Sequence, residues 1–159
     1  MGRDLETVGT GMFFEDLPTG YRFRSLKRTI LDADICAFVN VTHLTEVLFT
    51  DMEYMQTESG IKGGLVPGGL VYCFAEGLLV QSTLQKTGLA FLGMELEMAA
   101  PAFVNDTIHV EVEVIETRRS RSRPDRGLVR TRNRVLKQDG SEILTYTPLR
   151  MMKCRELGE

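Results

Sequence analysis

The chain has 159 residues, enough to bury one ordinary core and too few for two, so a single domain over 1–159 is expected. A hydrophobic fraction of 43% and a charged fraction of 26% are those of a soluble globular protein. A net charge of -3 gives no global attraction to nucleic acid or to an anionic membrane, which leaves small molecules and other proteins as the expected partners.

The opening MGRDLETVGTGMFF has no uninterrupted apolar run after a basic start, so no secretory leader is expected, and Glu6 stands where N-myristoylation needs Ser or Thr. A cytoplasmic location follows as the expectation. In FFEDLPTGYRFRSLKRTI a turn signal at Pro18 to Gly20 precedes Tyr21 and Phe23, which alternate with Arg22 and Arg24 as in a first strand. Asp32 is placed to cap a short helix over Ala33–Val41, in which Ile35, Phe38 and Val39 fall at helical spacing. Asp51 caps a second short helix through Met52, Glu53, Tyr54 and Met55, ending near Gly60.

Six turn-forming residues, Gly60, Gly63, Gly64, Pro67, Gly68 and Gly69, then permit tight turns and close backbone approach, without the endings of a phosphate-binding loop. The apolar run Gly68–Leu84 is too short for a membrane span and contains Glu76 and Gln81. Being apolar nearly all round, it predicts a helix wrapped on most sides by the core. The period then changes to two: Ile108, Val110, Val112 and Val114 alternate with His109, Glu111 and Glu113, and two further strands flank the Gln138-Asp139-Gly140 turn. One of these carries Val129, Thr131, Asn133 and Val135, the other Ile143, Thr145 and Thr147.

Cys36, Cys73 and Cys154 are odd in number and form no CxxC, so neither a disulfide framework nor a zinc site is expected, and two are expected as core thiols. No metal or other cofactor is indicated. The element order predicts an α+β domain in which a curved antiparallel sheet wraps one long central helix, and the sheet's free edge invites dimerisation.

FFEDLPTG, RTILDADICAFVNVT, the turn before the central helix, PAFVNDTIHVEVEV and RRSRSRPDRGLV, in that order, resemble the MaoC-like dehydratases. This hot-dog-fold family includes (R)-specific enoyl-CoA hydratases, and the resemblance covers nearly the whole chain. The family's active segment reads approximately T-G-D-x-N-P-x-H-x-D. The matching stretch is Thr42-His43-Leu44-Thr45-Glu46-Val47-Leu48-Phe49-Thr50-Asp51, which keeps Thr42 and Asp51 at the family spacing. Leu44 stands in place of the catalytic Asp, Phe49 in place of the catalytic His, and Glu46 and Val47 replace the Asn and Pro.

The departure matters because hydration of an enoyl thioester needs a base for the water, an acid for the α-carbon and N–H donors for the enolate oxygen. Each acid or base contributes about a hundred- to ten-thousand-fold, and Leu and Phe transfer no protons. Leu44 and Phe49 then read either as apolar walls of a converted substrate pocket or as ordinary core. Glu46 and His43 read as a relocated acid–base pair or as a solvated loop, and Asp51 as a site residue or simply a helix cap. The resemblance implies that Gly68, with Gly69 beside it in Val66-Pro67-Gly68-Gly69-Leu70, presents an N–H to a thioester carbonyl.

Arg119, Arg121 and Arg123, with Arg118, suit capture of coenzyme A phosphates or form a solvated hairpin end. No aromatic residue interleaves with them, which disfavours nucleic acid. Cys73 and Glu76 fall at helical spacing, but a cysteine on an apolar helix is usually inert. His109 receives no catalytic role.

The functional expectation is a MaoC-like protein acting on or binding 2-enoyl or 3-hydroxyacyl thioesters of coenzyme A or an acyl carrier. The alternatives are an inactive thioester binder, a non-catalytic partner of another hot-dog subunit and, third, a thioesterase using Glu46 or Asp51. A homodimer or a heteromer with a second hot-dog subunit is expected, with no nucleic acid and no membrane.

Overall fold

The computed structural model describes Leu5 and residues 7–155. The readings made on Met1, Gly2 and Glu6 lie outside the described residues.

The sheet is organised by its longest strand. In β5 (Thr107–Arg119) the alternating residues Ile108, Val110, Val112 and Val114 are buried. A fully buried Val or Ile contributes roughly 1.5–3 kcal/mol, so this face alone commits the strand to the core. β6 (Arg126–Leu136) pairs antiparallel with it and sets Arg134 opposite Glu111 and Arg132 opposite Glu113. These guanidinium–carboxylate pairs, with Arg130–Glu116, are 3.2, 3.3 and 3.2 Å long. Exposed pairs contribute only about 0–1 kcal/mol each, so the ladder chiefly disfavours a register slip that would juxtapose like charges.

β1 (Arg22–Arg24) and β2 (Arg28–Thr29) follow one another along the far side of β5. β7 (Glu142–Tyr146) and β8 (Leu149–Lys153) do the same along β6. β3 (Gly88–Gly93) and β4 (Leu96–Met98) line the outside of β8 and β7 and close the order at an edge.

Against the inner face lies α4 (Gly68–Leu79), prolonged by one π-helical turn over Val80–Leu84. Leu70, Val71, Ala75 and Leu79 point into the core beside Ile108, Val110, Val135, Leu144 and Tyr146. Three short helices, α1 (Asp32–Thr42), α2 (Val47–Thr50) and α3 (Met52–Thr57), connect β2 to the glycine-rich approach. That approach needs glycine at Gly64, where a Cβ would sit 2.5 Å from the Val104 side chain.

Several expectations require correction. Asp32 is the first residue of α1 rather than its cap; the Asp34 carboxylate reaches back to the Leu31 N–H at 2.8 Å. The central helix is open along Gly69, Cys73, Gly77 and Val80, where no described residue of a single copy covers it. For that reason Cys73 is exposed, and Cys36 is exposed on α1, so neither is a core thiol; Cys154 is half-buried. In β7 the pairing of Leu144 with Val135 and of Tyr146 with Asn133 puts Leu144 and Tyr146 on the face that meets the helix. β3, β4 and β8 were not anticipated: β3 is an edge strand with mostly exposed apolar residues and therefore lacks alternation.

Candidate functional site

The stretch from His43 to Asp51 is a loop and a short helix between α1 and α3. His43 ends α1 in a left-handed conformation, φ 56°, and its carbonyl accepts from the Thr45 N–H at 2.8 Å. Its side chain and that of Glu46 are exposed and make no hydrogen bond among the described residues. The Glu46 carbonyl instead organises α2, accepting from the Phe49 N–H at 2.9 Å and the Thr50 hydroxyl at 3.1 Å. Asp51 caps α3 as expected, its carboxylate accepting the Tyr54 N–H at 2.9 Å.

Phe49 is half-buried against the main core and lines a groove of about 510 Å³ between α1 and the α2–α3 pair, with Ile35, Val39, Met52, Met55 and Leu65. Leu44, 39% exposed, does not line that groove. Gly68 and Gly69 open α4. Their N–H groups belong to the first turn, where a helix offers donors without internal acceptors. A Cβ on Gly68 would lie 3.0 Å from Met98 of β4, and one on Gly69 3.2 Å from the Phe38 ring of α1. The first turn of α4 is thus held between the edge strand and α1. Phe49 and these two glycines do not line one concavity in a single copy.

At the β5–β6 hairpin, Arg119 donates to Glu15 at 2.9 Å and to the Pro124 carbonyl at 3.2 Å. Arg121 and Arg123 are exposed at the turn.

A polar constellation on the central helix was not foreseen as a unit. Both oxygens of Glu76 are engaged: one accepts from the Tyr146 hydroxyl at 2.7 Å, the other from Arg150 at 2.5 Å. Arg150 also lies 5.3 Å from the centre of the Phe91 ring, and Tyr72 meets Tyr146 edge-on at 5.3 Å. Burial, then the Glu76 charge, pushes the Tyr146 phenol far above its ordinary range. The same two causes raise Tyr72. Neither is therefore a base near neutrality. Glu76 was legible as a lone acid in an apolar run, but its partners lie 70 and 74 residues away. Among the described residues no group of three or more His, Cys, Asp or Glu side chains could hold a metal ion, and no helix is long and apolar enough to cross a membrane.

No family model and no curated protein matches the chain. Solved structures do. The MaoC-like dehydratase of Rhodospirillum rubrum is 31% identical over 92% of this chain and 100% of its own, with a TM-score of 0.81. This chain belongs to the MaoC-like dehydratase family. The (R)-hydratase of A. caviae involved in PHA biosynthesis is 25% identical over 88% of this chain and 98% of its own, TM-score 0.68. A Mycobacterium tuberculosis protein with a double hot-dog fold, essential for bacterial survival during infection, is 23% identical, TM-score 0.83. It matches 97% of this chain, which spans 47% of that longer protein, and at this identity the likeness shows the fold alone. The fold of this MaoC-like chain is accordingly the hot-dog fold, an α+β sheet wrapped on one helix.

Proposed function

We propose that this MaoC-like chain binds 2-enoyl or 3-hydroxyacyl thioesters and, on its own, does not run the family's ordinary acid–base chemistry. The reading is carried by the side chains around the family's active segment. By the sequence match Leu44 and Phe49 stand where the family has its two proton-transfer residues, while Asp51 has its carboxylate on the Tyr54 N–H and His43 and Glu46 stand in solvent. Binding remains chemically sound without them. The Gly68 N–H at the start of α4 donates to the thioester oxygen, where the helix dipole favours partial negative charge. Phe49 and its groove supply apolar wall.

The chain works as one of a pair of hot-dog units. Its β3 edge exposes Leu89, Phe91 and Leu92, and an apolar edge of this kind calls for cover. The double hot-dog likeness supports a second unit as that cover, either another copy or a distinct subunit that contributes the acid and base.

The test combines three readouts on a panel of 2-enoyl-CoA esters: enoyl absorbance, thiol release and melting temperature. The expected result is a raised melting temperature with neither reaction; ligand at a hundred times its Kd stabilises by about 2.7 kcal/mol. Hydration that disappears in Glu46→Gln would instead make this a working hydratase with a displaced acid–base group. Thiol release would make it a thioesterase.

A further inference from the structure

The buried core is divided in two. Leu79 and Val112 belong to its main part and Val129 and Met152 to a smaller cluster, and between them lies a cavity of about 30 Å³. Four of the side chains that line it are polar: Thr83, Thr131, Asn133 and Arg150. Asn133 is 1% exposed, and its Oδ1 is buried without a hydrogen-bond partner among the described residues. Leaving an amide oxygen unpaired in the interior costs more than an ordinary hydrogen bond contributes, so nearly every such group in a folded protein has a partner.

The walls of this cavity are fixed. Thr83 lies in the π-helical turn that prolongs α4, a form of helix that is rare and concentrated at functional sites. Its carbonyl accepts from the Met12 N–H at 2.9 Å, and the Gln85 carbonyl accepts from the Gly11 N–H at 2.8 Å. Gly11 fits there because it has no side chain: a Cβ would stand 2.5 Å from the Thr83 carbonyl. The end of the helix is thereby bonded to the chain's opening segment, and the space beside it belongs to a defined structure rather than to slack packing.

The polar groups also define what fits. The Thr83 hydroxyl already donates to the Leu79 carbonyl at 2.7 Å, so its oxygen is left to accept. Asn133 Oδ1 can likewise only accept. A molecule that donates twice answers both, and the Thr131 hydroxyl and the Arg150 guanidinium are donors for its own oxygen.

We propose that this cavity is an internal hydration site, in which a water molecule donates to Asn133 Oδ1 and Thr83 Oγ1 and accepts from Thr131 or Arg150. A water needs about 10–15 Å³ of such space and two to four polar partners, and the cavity meets both requirements. The water joins the end of α4 to β6, as Glu76, Tyr146 and Arg150 join the middle of the helix to β7 and β8. The site does not depend on the thioester reading.

The experiment pairs a high-resolution crystal structure of the full chain with oxygen-17 water relaxation dispersion in solution on wild type, Asn133→Leu and Thr83→Val. Dispersion counts waters held longer than the protein takes to tumble, so it reads the interior and not the surface. The crystal should show a water about 2.7–3.2 Å from Asn133 Oδ1. In solution each variant should lose the amplitude of at least one long-lived water relative to wild type. Circular dichroism and melting temperature confirm that the variants fold. If Asn133→Leu does not, Thr83→Val keeps the side-chain shape, removes only the hydroxyl and carries the comparison. A crystal structure in which Oδ1 accepts from a protein donor overturns the assignment, and so does one in which the cavity is dry. Dispersion unchanged in the folded variants overturns it as well.

Discussion

A tyrosine hydroxyl has one proton to give, and in Tyr146 it goes to Glu76. Asn133 stands opposite Tyr146 in the β6–β7 pairing, and its Oδ1 is buried without a partner among the described residues. The set Arg150–Glu76–Tyr146 therefore ties α4 to β7 and β8 through bonds that converge on one carboxylate. Tyr146→Phe should keep the shape while leaving one Glu76 oxygen without its donor. A loss of about 1–3 kcal/mol in urea unfolding is expected. A loss under about 0.5 kcal/mol, the level of an ordinary surface change, would mean that water replaces the hydroxyl and the network is not a tie.

At the scale of elements, the chain's opening segment is clasped to its end. The short 3-10 turn Phe14–Asp16 packs its Phe14 ring where a Cβ on Gly127 would be only 2.3 Å away. Glu15 accepts from the Arg155 N–H at 2.9 Å and from Arg119, and Asp16 accepts from the Arg155 guanidinium at 2.8 Å. Burial raises both carboxyls. The Arg155 N–H and the Arg119 charge outweigh this for Glu15, as the Arg155 guanidinium and the Phe13 N–H do for Asp16, so both lie below the ordinary carboxylate range.

A depressed folded-state pKa contributes stability above the unfolded value, about 4, and that contribution is lost as pH falls through the folded value. Hydrogen exchange at the Phe13 and Arg155 amides should therefore quicken below about pH 4 before exchange in β5 and β6 does. Simultaneous loss of protection in all of them would show that the clasp has no stability of its own. Neither partner of this clasp was legible in advance, because the contacts join residues about 140 apart in sequence. Elements with strong local signals fared differently. β5 was readable from four alternating apolar residues and α3 from Asp51, whereas β3 and β4 depend on β8 and β7 for their existence.

The same contrast holds for the candidate site. The substituted family segment could be aligned because spacing from Thr42 to Asp51 is a property of sequence. The Glu76–Tyr146–Arg150 set could not, because it forms only when β7 and β8 lie beside α4.

For the whole molecule, the unsatisfied surface is the β3 side of the sheet. Leu89, Phe91 and Leu92 are 37%, 47% and 50% exposed, and the outer backbone groups of β3 have no strand beyond them among the described residues. The helix face carrying Cys73 and Val80 is open in the same single copy. Continuing the sheet through β3 would cover the edge and bring a second helix beside the first. In a two-fold pair each substitution acts twice, so Phe91→Lys/Leu92→Lys places four new cations near one contact line.

Like charges facing each other across such a contact cost several kcal/mol, and each 1.4 kcal/mol is about tenfold in dissociation. Sedimentation should show wild type as a pair at micromolar concentration and the double variant as a monomer, with a dissociation constant weakened on the order of a hundredfold or more. If wild type sediments as a monomer but pairs when mixed with a second hot-dog subunit, the edge is the contact of a heteromer, and the lysine variant should fail to join it. If the lysine variant pairs as well as wild type in either setting, the exposed edge is not the interface.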